Sequence, residues 1–358
     1  GARSDDFAWD YADNLYVVST SGHKFFAFAL PHKDKVVATP CKTNYYFNTP
    51  TQTLTVKVTP SLSCGNVVDK SCPNMQPNEL DGNVFKYYYL TDAADGNNDD
   101  STKVMYQLKA TPNSGYRFVN WGRIADNDGK STHENITGNF AVSSYPDRVA
   151  NFGINVWETA TITPINEETT FRGVFVQREL DTESYSTICL PFNLETLVGT
   201  PYEGASVLEF TSEEKSNVDG DNRISLNFTE VTFGAGKGMR AGVPYLIQVK
   251  NAISGEKIFW DVTCPDIDNQ GKSVININGT VTFHAIMNPT TFDKDEIQDK
   301  LFLTADNRLV TLYGHNSVNI NGLRGYFTVS GGMSKNAEFV LNLPDKVVTS
   351  TPFVGIEE

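Results

Sequence analysis

A chain of 358 residues exceeds one small domain and predicts two or three, each able to bury a core without disulfides or metals. Hydrophobic residues make up 39%, an ordinary globular proportion that excludes a disordered chain. A formal charge of −14 and a pI near 4.8 repel phosphate backbones and anionic headgroups, which excludes nucleic-acid binding and attraction to acidic membranes.

The predicted elements are almost all strands. In residues 1–50, the runs Leu15–Thr20, Phe25–Leu30 and Lys35–Thr39 read as a meander with turns at Ser21-Gly22 and His32-Lys33-Asp34. Gly1 followed by polar residues to Asp6 reads as a trimmed start, so an export signal is expected upstream. Leu54, Val56 and Val58 alternate with Thr55, Lys57 and Thr59, the period of a half-buried strand. The same alternation recurs at Ile224, Leu226 and Phe228 and at Phe339, Leu341 and Leu343. Two long polar stretches, 60–83 and 122–140, interrupt the middle of the chain as loops. The polar run Gln177–Ser184 reads as a linker, giving regions 1–50, 51–177 and 178–358. One helix is expected over Asp293–Leu303, with Thr290 as cap and Ile297, Leu301 and Phe302 facing a sheet. No run of about 18 apolar residues occurs, so no transmembrane segment is expected.

Signals for chemistry are sparse. The cysteines at 41, 64, 72, 189 and 264 form no C-x-x-C pair; Cys64 and Cys72 flank a short loop that a disulfide would close, and small buried thiols are the alternative. None of the five histidines stands at metal-ligand spacing, and no metal site is expected from them. His284 sits opposite Val281 and Phe283, as a surface strand residue would. No cofactor is implied; calcium is the exception to weigh, at Asp92–Asp100, Asp126-Asn127-Asp128-Gly129 and Asp219-Gly220-Asp221-Asn222, although none has a closing bidentate Glu. The glycine-rich run 234–242 precedes a strand rather than a helix, so it reads as an inter-strand loop and not an anion cradle. Glu167-Glu168 and Glu213-Glu214 are sequence neighbours that a strand would point to opposite faces. Tyr45, Tyr46, Tyr87 and Tyr89 lie in aromatic clusters that expose one face as a candidate ligand platform, if that face is not packed by a neighbour. With no catalytic signature, the chain reads as a non-enzyme.

Residues 102–121 read T-K-V-M-Y-Q-L-K-A-T-P-N-S-G-Y-R-F-V-N-W. A strand, a turn ending in Gly115, then Tyr116, Phe118 and Trp121 resemble the divergent internalin B-repeat (Listeria–Bacteroides repeat) of bacterial surface proteins. Leu54–Thr59 and Thr169–Phe175 resemble that family's first and last strands. The resemblance implies a β-grasp-like domain over 51–177 whose motif residues are structural. Ser184–Phe192, Leu323–Phe327 and Val354–Glu358 resemble segments of secreted Bacteroidetes proteins, in which a sorting or anchoring tail commonly follows the last. Together these imply an all-β protein: a small B-repeat-like domain, then a β-sandwich, with few short helices. They also imply an extracellular or outer-surface location and a non-catalytic adhesion or recognition role, binding a host or cell-surface protein or a glycan through loops and exposed aromatics. Glycan capture is the alternative, and an all-β glycoside hydrolase a further one, requiring two facing acids in a cleft.

Overall fold

A computed structural model describes the strands Ser4–Trp9, Asn14–Ser19 and Lys24–Ala29 as backbone, and residues 52–70, 77, 79–89, 105–218, 221–266, 271–275, 280–312, 314–330 and 337–350. Side chains at 88–89, 217–218, 221–222 and 275 are outside this description. The fold is all-β, and the one helical element among the described residues is a 3-10 turn at Leu62–Cys64. No helix is long and apolar enough to cross a membrane among the described residues. Two compact units divide at Phe152 and Gly153.

In the first unit the three N-terminal strands form an antiparallel meander. Two coincide with the predicted runs; Lys35–Thr39 lies outside the described residues. Gln52–Thr59 buries Leu54, Val56 and Val58 completely while Thr55, Lys57 and Thr59 stay half-exposed, as its alternation predicts. It runs antiparallel to Val84–Tyr89, and parallel to residues 147–151 on its other side. Gly65–Asp69 pairs with Leu108–Pro112, and Tyr116–Gly122 pairs with the strand Asp147–Trp157. Gly65 admits no side chain: a Cβ there would lie 2.5 Å from the Phe152 ring and 2.6 Å from the Thr111 carbonyl.

The insertion 122–140 is not a free loop. Asn151, 1% exposed, donates from Nδ2 to Asn120 Oδ1 and Asn127 Oδ1, both at 2.7 Å. Its own Oδ1 accepts from Thr59 Oγ1 at 2.6 Å and from Asn127 Nδ2 at 3.1 Å. Asn120 Nδ2 then donates to the carbonyls of Gly129 and Ser131. A chain of amides thus ties the insertion to the sheet, and Gly122 leaves the space that the Asn127 side chain fills.

In the second unit residues 154–157 run parallel to Thr169–Gln177, which pairs antiparallel with Glu256–Cys264. The strand resembling a B-repeat's last strand therefore pairs here, not with Gln52–Thr59. The polar run 177–184 is packed rather than a linker: Arg178, Leu180 and Ser184 are buried, and Leu180 exchanges two backbone hydrogen bonds with Ile253. The run reads as a linker because Gln177, Glu179, Asp181 and Glu183 are exposed, while Arg178 and Leu180 alternate inward to partners distant in sequence.

The rest of this unit is a sandwich of two sheets. One has the order Ser186–Cys189, Pro244–Gln248, Ser206–Val218, Asp221–Glu230, Glu338–Asn342, Val347–Ser350. The other has the order Ser273–Ile275, Val281–Ile286, Arg324–Val329, Lys300–Leu303, Leu309–Val310. Leu208, Phe210, Leu226 and Phe228 from the first share a core with Val281, Phe283, Leu301 and Phe327 from the second. Phe283 and Phe327 stack at 4.2 Å, with Phe228 edge-on to both.

The helix expected over Asp293–Leu303 does not form. Thr290–Asp293 and Lys300–Leu303 are strands joined by a turn in which the Asp293 carboxylate accepts from the amides of Asp295 and Glu296. An Asx-type turn replaces the helical cap because both flanks are claimed by strand partners. The predicted inward residues Ile297, Leu301 and Phe302 are nevertheless buried.

Replacing Asn151 leaves the buried Asn120 Oδ1 without its donor and removes both amide bonds to Asn127. Asn151→Ala is expected to lower stability by about 1–3 kcal/mol. Chemical denaturation checks this, and a midpoint unchanged by the substitution counts against a network that holds the insertion.

Candidate functional site

Strand alternation sorts the residues of Arg324–Val329. Gly325, Phe327 and Val329 are buried toward the sandwich core, whereas Arg324, Tyr326 and Thr328 are half-exposed on the opposite face. On that outer face a second apolar group gathers: Ile286, Phe292, Ile297 and Phe302, flanked by Leu312, Val318, Ile320 and Tyr326. The two-stranded antiparallel sheet of Thr290–Asp293 and Ser317–Ile320 supplies several of these residues.

A cleft of about 270 Å³ opens beside this group. Phe302, Leu303, Leu312 and Ile320 form its apolar walls, and Thr187, Asn319, Asn321 and Arg324 its polar lining. Thr187 is committed, since its hydroxyl accepts from the Gly325 amide at 3.0 Å. Asn319 Oδ1 accepts from Thr291.

Behind the cleft sits a buried ion cluster. Glu158, 7% exposed, receives Arg324 Nη2 at 2.7 Å and Arg178 Nη1 at 3.2 Å on the same Oε2. Arg178 is almost fully buried and also donates to the carbonyls of Glu179 and Thr187. Burial first, then the Arg324 guanidinium, lowers the Arg178 pKa to about 10, with Glu158 opposing both. Arg178 remains a cation at neutral pH. The cluster thus holds two guanidiniums and one carboxylate, a local excess of positive charge in an acidic chain. Arg324 is the member that reaches solvent, with a side chain 33% exposed.

The backbone that presents Arg324 is strained. Leu323, fully buried, has φ +58°, a left-handed conformation uncommon for a non-glycine residue. The preceding Gly322 amide donates to the Glu158 carbonyl at 2.7 Å, and a Cβ at Gly322 would meet the Met287 carbonyl at 2.5 Å. Packing of Leu323 and the close approach of Gly322 together fix the direction from which the guanidinium reaches Glu158.

Next to Arg324, His284 stacks on Tyr326 at 4.8 Å. Its Nδ1 shares a hydrogen bond with Ser273 Oγ and its Nε2 with Thr328 Oγ1. Desolvation, then the Lys300 charge, lowers its pKa below the ordinary 6.5. His284 is thus the outward strand residue that its spacing predicts, held between sheet partners.

Other predicted sites fare differently. Tyr87 is 2% exposed and belongs to the core, so it offers no platform, because strand alternation points it inward with Phe85 on the same face of the strand half-buried. Tyr45 and Tyr46 lie outside the described residues, as does the side chain of Tyr89. Among the described residues the one exposed aromatic is Tyr145, whose ring lies against Phe140 and under Arg148. Gly115 has φ +83°, as the predicted turn requires. Phe118 is buried and contacts Trp121 at 5.0 Å and Phe152 at 5.9 Å. Tyr116 and Trp121 are only half-buried, Trp121 donating to the Glu134 carbonyl.

Cys64 is a buried free thiol rather than half of a disulfide, and Cys72 lies outside the described residues. Burial raises the pKa of Cys64, Cys189 and Cys264, keeping them neutral. Asp126–Gly129 is organised by the Asn127 amide instead of converging carboxylates. No three His, Cys, Asp or Glu residues converge as a metal site among the described residues. Asp92–Asp100, Asp219 and Gly220 lie outside them. The glycine-rich run folds back on Glu195, which accepts from the amides of Gly234 and Gly236, so it is the inter-strand loop expected. Glu213 is buried and accepts from the Val281 amide at 2.6 Å, while Glu214 is exposed, as strand alternation requires.

Glu158 and Arg178 carry no motif, and Arg324, though it lies in the Leu323–Phe327 segment, is not singled out as a site residue by the sequence. The only local signal is a charged residue immediately flanking an apolar strand, at Glu158 after Trp157 and at Arg178 after Gln177.

Glu158→Gln leaves two guanidiniums without their shared counter-charge, one of them almost fully buried. A loss of about 3 kcal/mol is expected, at the low end for breaking a buried pair because Arg324 keeps some water. Equal unfolding midpoints for wild type and variant would show the cluster to be incidental. A second expectation concerns pH. The lowered native pKa of His284 means the unfolded chain takes up its proton first as pH falls below 6.5. Its contribution is complete above that value and declines toward the native pKa. Melting temperatures between about pH 7 and about pH 5 should therefore fall less steeply for His284→Gln than for wild type.

The chain matches no family model, no curated protein and no solved structure.

Proposed function

We propose that this chain is a non-catalytic recognition module of a secreted bacterial surface protein, which adheres to a host or cell-surface partner through the cleft beside Arg324. The observation that carries this reading is the cleft itself: apolar walls, a polar rim and one solvent-reaching guanidinium anchored by Glu158. Such mixed concavities with a fixed polar group are ordinary binding sites. Glu158, Arg178 and His284 serve structure, each in a pair or network that holds strands together. A rigid sandwich behind the cleft keeps its geometry without the ordering cost of a mobile loop. The bacterial-surface setting rests on the resemblance of 102–121 to a B-repeat and of 184–192 to secreted Bacteroidetes proteins. The Ser184–Phe192 segment is itself core: Tyr185, Ile188, Leu190 and Phe192 are all buried. It therefore supports the scaffold, and recognition falls to the cleft.

Glycan capture through aromatic stacking has less support. The ring faces near the cleft are taken by protein, Tyr326 by His284 and Phe302 by near-complete burial.

The test is to immobilise the full chain and probe it with host matrix proteins and a glycan array. A partner held by wild type should lose at least about tenfold in affinity with Arg324→Ala, a loss of about 1.4 kcal/mol. Partners indifferent to Arg324, or turnover of a substrate in the cleft, would sink this reading.

A further inference from the structure

We infer that the cleft accepts the C-terminal residue of a peptide, an α-carboxylate together with an apolar side chain. The inference rests on the cleft being a recognition site and names its ligand class.

Size sets the first limit. About 270 Å³ is just below the range of pockets that enclose drug-sized ligands, roughly 300–1,000 Å³. It holds one residue-sized group. Charge sets the second. In a chain of net charge −14, an anion needs a local cation, and the cluster of Arg178, Arg324 and Glu158 has one positive charge in excess. Within that cluster Glu158 engages only Nη2 of Arg324, and the Arg324 side chain makes no other hydrogen bond among the described residues. Its guanidinium therefore has donors to offer, in the planar geometry that suits a carboxylate. Asn319 and Asn321, both exposed, add carboxamides at the rim.

Hydrophobicity sets the third limit. Phe302, Leu303, Leu312 and Ile320 would leave a purely polar acid, such as a uronate, desolvated against hydrocarbon. An Asp or Glu side chain brings one or two methylenes. A terminal Leu or Phe instead joins a carboxylate and a large apolar group at one Cα, so a single residue carries a partner for Arg324 and one for the apolar walls.

An independent feature favours a peptide over a free acid. Ser317–Ile320 pairs with Thr290–Asp293 on one side and with no other strand among the described residues. Asn319 and Ile320 of this strand line the cleft, so an extended peptide in the cleft can add to its unpaired edge through main-chain hydrogen bonds.

The experiment uses the full chain and calorimetry with backbone NMR as a second readout. The probes are acetyl-Gly-Gly-Val-Leu as its free acid, the same peptide as its C-terminal amide, acetyl-leucine and glucuronate. The peptide acid should bind, with shifts at Asn319, Asn321 and Gly325. Amidation should weaken it at least tenfold, acetyl-leucine should bind more weakly than the peptide acid, and glucuronate weakest of all. Arg324→Gln should cost the peptide acid the same tenfold and leave the amide unchanged. Ile320→Trp, which fills the cleft and leaves the ion cluster intact, should abolish binding while the backbone NMR spectrum shows the chain still folded. Equal affinity for acid and amide, tighter binding of glucuronate, or no binding of the peptide acid to folded wild type each overturn the assignment. The two levels separate cleanly. A macromolecular partner that depends on Arg324, with acid and amide bound alike, leaves the recognition site standing and removes its carboxylate ligand. Peptide-acid binding without any Arg324-dependent macromolecular partner supports the ligand class and removes the adhesion role.

Discussion

The stack of Phe283 on Phe327 is the contact from which the functional geometry of the second unit follows. Both rings are fully buried between two sheets, so strand Arg324–Val329 cannot slip by one residue without exposing its apolar set. With that register fixed, Arg324, Tyr326 and Thr328 must face outward. Every element of the candidate site then inherits its place from the core: the Tyr326 ring that supports His284, the hydroxyl that binds His284, and the guanidinium that meets Glu158.

Two glycines and one strained leucine complete this positioning. Gly325 lets the Phe283 ring approach, since a Cβ there would lie 2.7 Å from it. Gly322 sits against the Met287 carbonyl, and Leu323 takes a left-handed backbone so that its side chain packs inside while the next residue turns out. The burial of Leu323 offsets the conformational cost, which is of order 1–3 kcal/mol. Strain at this point is tied to the placement of the one cluster cation that meets solvent.

Buried polar groups do different work in the two units. In the first, neutral amides around Asn151 anchor an insertion to a sheet. Neutral groups carry a modest desolvation cost, and reciprocal bonds satisfy both ends. In the second, charges are buried around Glu158, where each would be costly alone. The amide network is self-satisfied and closed. The ion cluster has a surplus cation and an exposed member, which is why it reads as a site and the other as structure.

Alternation of apolar residues at Leu54, Val56 and Val58, at Leu226 and Phe228, and at Phe339 and Leu341 was enough to identify strands and their inward faces, because a period of two is a property of the backbone itself. The same local reasoning found the Gly115 turn, the loop at 234–242 and the outward placement of His284. It failed at Asp293–Leu303, where helical spacing of apolar residues was overridden by cross-strand partners, and at 177–184, where Arg178, Leu180 and Ser184 proved to be packed. The pairing of Thr169–Gln177 with Glu256–Cys264 and the meeting of Glu158, Arg178 and Arg324 were decided by tertiary structure alone. Charges separated by many residues interact only after the sheets have brought them within hydrogen-bond reach, and no spacing along the chain encodes that approach.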